Sequence, residues 1–201
     1  MAVLSLKYKT KQGTLTAPAE IDLGSMIPIS TVTIGAGGTT PVTFTSIPTY
    51  YTHLQLRCLV RSAGTSADRD SFQFIFNGDT STNYSDHRIT GDGSSVAASV
   101  RTNSTTILLP EISSNGYTSN IFTSVIVDIL DYTDTNKYKT VRSLGGFDSN
   151  GIGIEKGAIR LGSGAWRSTS AITSITITTG GGRNMVQYST FSLYGIKGAG
   201  A

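Results

Sequence analysis

The sequence predicts an all-β protein: an antiparallel β-sandwich, jelly-roll-like, with an extended N-terminal arm. Three observations carry that expectation. Apolar residues recur at every second position through most of the chain. No stretch shows the longer apolar spacing of a helix. Short alternating runs are separated by turn signals rich in Gly, Asn and Asp, including "NGD" at 77–79, "GDG" at 91–93, "DYTDTN" at 131–136, "SNG" at 149–151 and "GGG" at 180–182.

The first 29 residues read differently from the rest. "VLSLKYKTKQGTLTAPAEIDLGSMIPI" alternates briefly and then becomes a Pro- and Gly-punctuated run, so residues 1–29 are expected to be an arm and 30–201 the sandwich. Within the arm, Leu4, Leu6 and Tyr8 share one parity while Lys7, Lys9 and Lys11 share the other. An extended strand of that kind presents an apolar side and a basic side to a partner and can add its backbone to an exposed sheet edge. These six residues are the candidate anchoring site; the alternative is that the arm pairs with its own sandwich or with a neighbouring subunit. Pro18 and Pro28 suit an extended connector and oppose a helix.

Strands are then expected over Ser30–Ile34, Val42–Thr45, Thr52–Arg61, Ser71–Asn77, Tyr84–Thr90 and Thr105–Leu109. They continue over Phe122–Leu130, Tyr138–Leu144, Ala158–Leu161, Ala171–Thr178 and Gln187–Ile196. The clearest is "THLQLRCLVR". Leu54, Leu56, Cys58 and Val60 fall on one face; His53, Gln55, Arg57 and Leu59 fall on the other. Phe72, Phe74 and Phe76 likewise share a face. This many short strands with Gly-rich connections best suits a jelly roll among the sandwiches.

Composition narrows the function. Charged residues make up 14% of the 201, against roughly 25% in ordinary soluble domains. Ser and Thr together number 54, a surface chemistry common on extracellular and virion β-proteins. The net charge of +3 is small and dispersed, so no nucleic-acid partner is expected. No apolar run reaches the roughly 18 residues of a membrane span, and the start lacks the apolar block of a signal peptide. The single cysteine, Cys58, lies on the apolar face of its strand and reads as a small core hydrophobe. The chain is therefore expected to fold in a reducing cytoplasm.

Catalytic chemistry is not expected. The two histidines, His53 and His87, have no second ligand at metal spacing, and no nucleophile, phosphate-binding or dinucleotide motif occurs. Asp131, Asp134 and Asn136 carry oxygen donors, yet they lack the bidentate Glu and the length of a calcium loop and read as turn residues. No metal or cofactor is expected. Tyr117, Trp166 and Arg167 fall in loop-like segments and are the candidate glycan-stacking residues.

Four strings carry a family resemblance: "TSIPTYYTHLQLRCLVRS", "FNGDTSTNYSDHRITGDG", "VIVDILDYTDTNKYKTVRSLGGFDSNG" and "ITSITITTGGGRNMVQYSTFSLYGIKG". Over residues 31–198 the chain resembles a domain of tailed-bacteriophage virion proteins, of the head-decoration, head-fibre and tail-fibre type. The resemblance implies a jelly-roll-like sandwich, trimeric, displayed on the outside of a particle after assembly in the host cytoplasm. The short arm favours a capsid-bound decoration or head-fibre protein contacting the major capsid protein or another virion protein. The alternative is a tail-fibre or tail-tip protein that recognises host surface glycans.

Overall fold

The structure is a computed structural model that describes residues 25–65, 69–116, 118–151, 153–154 and 156–198. Among these residues there are twelve strands and no helix. In chain order they are β1 (Met26–Thr33), β2 (Val42–Phe44), β3 (His53–Val60), β4 (Arg69–Phe76), β5 (Tyr84–Gly91) and β6 (Val96–Ser104). Then follow β7 (Ile107–Ser113), β8 (Thr123–Leu130), β9 (Lys139–Asp148), β10 (Gly157–Trp166), β11 (Ile175–Thr179) and β12 (Thr190–Ile196).

Two antiparallel sheets face each other. The larger has the order β1-β12-β3-β8-β9-β10-β5-β6 and the smaller β2-β11-β4-β7. The pairings reveal a rolled hairpin. Strand β2 pairs with β11, β3 with β8, β4 with β7, and β5 with β6. Numbered one to eight in chain order, those strands pair first with eighth, second with seventh, third with sixth and fourth with fifth. A long hairpin paired that way and wrapped into two layers is a jelly roll. The hairpin β9–β10 is inserted between β8 and β5, and β12 and β1 extend the large sheet beyond β3.

Alternation in the sequence becomes the core between the layers. Leu54, Leu56, Cys58 and Val60 of β3 join Val125, Val127 and Ile129 of β8 beneath Phe72, Phe74 and Phe76 of β4. Each such side chain gains about 1.5–3 kcal/mol from leaving water. Cys58 is one of them, and burial pushes its thiol pKa well up.

Several expectations need correction: β7 and β9 each run four residues past their expected ends, to Ser113 and Asp148, and β11 starts at Ile175 instead of Ala171. The boundary placed at residue 29 falls inside β1, because Met26, Ile27 and Pro28 already pair with Ile196, Gly195 and Tyr194 of β12. Strand β6 was not expected at all. Its sequence VAASVRTNS is rich in small polar residues, and its side chains are exposed on both faces over Val96–Val100, so no alternation marks it. Strand β10 runs on to Trp166 through "LGSGAW", where the glycines read as loop. Gly164 is there for close approach: a Cβ on it would lie 2.6 Å from Ile107 Cγ2 in the facing sheet.

Candidate functional surface

The anchoring residues Leu4, Leu6, Lys7, Tyr8, Lys9 and Lys11 lie outside the described residues, as does Tyr117. Trp166 is a correction. It ends β10 with its side chain turned inward, 2% exposed. Its ring stacks on Tyr84 at 6.3 Å and 15°, and lies 5.7 Å from Phe76. An indole so enclosed is core and offers no platform to a sugar. Arg167 instead links loop to strand, its Nη2 donating to Thr82 O at 2.7 Å and to Asn103 Oδ1 at 2.9 Å.

His53, Gln55 and Arg57 lie on the outer face of the large sheet, in a network of polar side chains. Gln55 Nε2 donates to Asp128 Oδ1 at 2.8 Å, Arg142 Nη2 to Asp128 Oδ2 at 2.7 Å, and Arg57 Nε to Gln55 Oε1 at 2.9 Å. Partial burial raises the Asp128 pKa, but the bonds from Gln55 and Arg142 outweigh it and hold the carboxyl below its ordinary value. His53 Nδ1 accepts the backbone N–H of Asp131 at 3.0 Å. His87 sits on β5, four strands away from β3 in the sheet, or roughly 19 Å at strand spacing. The two histidines therefore do not converge. Among the described residues no three His, Cys, Asp or Glu side chains group as metal ligands.

The acidic loop 131–136 is organised by a lysine. Lys139, fully buried at the start of β9, donates from Nζ to the carbonyls of Asp134, Lys137 and Thr169 at 2.5, 2.9 and 3.1 Å. Desolvation draws its pKa down from the ordinary lysine value. Asp131 and Asp134 pair with the exposed Lys137 at 2.6 and 3.2 Å. The loop thus has ammonium groups on its oxygens, and Asp134 also makes the turn bond to Asn136 N–H at 2.7 Å.

Charges also join the two layers on the β10–β5 side of the sandwich. Glu111 of β7 pairs with Arg69 and with Arg160 of β10, the latter at 2.6 Å. Asp86 of β5 accepts from Arg101 Nη2 at 2.6 Å and from Leu108 N–H at 3.0 Å.

The feature that composition and motifs did not disclose is a lateral apolar row on the outer face. Ile126, Leu144, Leu161, Ile89 and Ala98 stand side by side on five adjacent strands, β8, β9, β10, β5 and β6. Ile159, Val100 and Val96 flank the row and are exposed. The alternation of each strand was legible, but not that the second face of these five strands would also carry apolar side chains in one line. The signal was present as Ile126, Leu144 and Leu161 at positions opposite in parity to their strands' core residues.

No family model, curated protein or solved structure matches the chain.

Proposed function

We propose that the chain is a structural virion protein of a tailed bacteriophage, a capsid decoration or head-fibre subunit. In this reading it is a homotrimer, held on the particle by its N-terminal arm, with the jelly roll displayed outward. The four strings that resemble phage appendage proteins supply the setting and the trimer. The observation that carries the anchoring part is the position of β1 at an edge of the large sheet. Ser25 precedes the edge strand β1, and its carbonyl accepts the N–H of Lys197, which follows β12 at the same end of the β1–β12 pair. The 24 preceding residues thus join the sandwich at a sheet edge. A segment of that length spans at most about 80 Å when extended. Such a segment suits a tether.

The alternative, a tail-fibre or tail-tip protein binding host glycans, loses one of its two aromatic stacking candidates with the burial of Trp166. Copy number separates the two. Quantitative mass spectrometry of purified particles is expected to give hundreds of copies of the chain per particle; a few tens or fewer would favour the tail reading.

A further inference from the structure

From the apolar row we infer that the outer face of the large sheet, over β8, β9, β10, β5 and β6, is the contact surface between copies of this chain. The inference rests on the oligomeric part of the reading above and not on its virion part; it adds which surface is buried.

Area is the first argument. Ile126, Leu144, Leu161, Ile89, Val100, Ile159 and Val96 are between 38% and 78% exposed. Together they present on the order of 700 Å² of apolar surface, beyond the 300–600 Å² patch of a typical monomer and close to the ~800 Å² that each partner buries in a stable interface. A charged rim borders the patch: Asp128 and Arg142 lie one row along from Ile126 and Leu144 on β8 and β9. An apolar centre within a polar rim is how protein interfaces are built.

Relief is the second argument, and it is what selects a second copy as the occupant. Leu144 and Leu161 form a ridge between two hollows. One hollow, about 620 Å³, lies beside Ile159 with Gly146 and Gly91 on either side of it in register. The other, about 600 Å³, is lined by Ile89, Ala98, Val100 and Leu161. A surface carrying both a leucine ridge and hollows with room for several side chains can seat the ridge of one copy in a hollow of the next. Repetition of that contact around an axis closes a ring. Most of the surface in each hollow is apolar, although Asp92 and Asp148 are among the lining of the first and Arg88 and Arg142 among the lining of the second.

The third argument is β6. It is the edge strand of the large sheet on this side, its far edge has no partner among the described residues, and Val96–Val100 are exposed on both faces. A strand left so open invites pairing unless something covers it. A neighbouring copy lying on this face covers the outer side of β6, where Val96, Ala98 and Val100 project.

The test is light scattering on the full chain across about 1–50 μM, for the wild type, Leu161→Arg and Thr176→Arg. Leu161 is exposed, so the charge should not disturb the fold, and circular dichroism checks that. Thr176 lies on the small sheet, away from the patch. The wild type and T176R are expected at a multiple of the 21.2 kDa chain mass, and L161R at 21.2 kDa. L161R at the wild-type mass overturns the face assignment while leaving the oligomer standing. A wild type at 21.2 kDa overturns both. Should L161R fail to fold, Leu161→Cys and, at an exposed position of β2, Thr43→Cys replace it, because the native Cys58 is buried and only the introduced thiol reacts. The thiol of L161C is expected to react at least tenfold more slowly than that of T43C; equal rates overturn the assignment.

Discussion

The indole Nε1–H of Trp166 donates to the carboxylate Oδ2 of Asp79 at 2.7 Å, joining the end of β10 to the turn after β4. Asp79 also accepts from Ser81 N–H at 2.9 Å and Asn83 Nδ2 at 3.1 Å, while its own carbonyl accepts from Tyr84 Oη at 2.9 Å. The carboxylate therefore closes the aromatic end of the core, where Phe76, Tyr84 and Trp166 pack together.

That bond makes stability depend on acid. The hydrogen bond from Trp166, followed by that from Ser81, draws the Asp79 pKa from 3.8 down to about 2. A carboxyl depressed in the folded state adds stability that is complete above its unfolded value and is lost as pH falls through the folded one. Asp79→Asn is expected to melt below the wild type at pH 5, with the gap closing between pH 4 and pH 2. A gap that stays constant over that window contradicts the account.

Lys139 is expected to be indispensable to the loop 131–138. Lys139→Met leaves the carbonyls of Asp134, Lys137 and Thr169 without their shared donor. The expected cost is about 2–4 kcal/mol, read from urea unfolding. A loss below about 0.5 kcal/mol, the range of ordinary surface changes, contradicts the role.

Gly164 tests the packing of β10 on β7. A methyl there meets Ile107 Cγ2 at 2.6 Å and Cδ1 at 3.2 Å. Gly164→Ala is expected to cost about 1–3 kcal/mol by overpacking. Ile107→Ala should cost less in the G164A background than in the wild type, since the two side chains then compete for one space. Purely additive losses contradict the contact.

These residues also mark how far the sequence was legible. The fold class followed from alternation, and β3 and β8 were placed within a residue or two because each has one buried and one open face. Strand β6 escaped because neither of its faces is buried over Val96–Val100, so burial left no pattern in its composition. The end of β10 escaped because Gly164 serves close packing of the layers, which only the facing Ile107 discloses. Trp166 was misplaced for the same reason, since a loop assignment carried its side chain outward. The outer-face row was hidden because lateral neighbours come from strands scattered from Ile89 to Leu161, and register alone aligns them.

The proposed role of the arm, holding the jelly roll on a phage particle, is measured most directly by binding to particles. Particles assembled without the chain are mixed with the full protein or with a form beginning at Ser25, which keeps β1 whole. Bound protein is then counted after sedimentation. The full chain is expected to saturate the particles. The shortened form is expected to keep its melting temperature and its oligomeric mass but to remain in the supernatant. Equal binding by the two forms would contradict the claim.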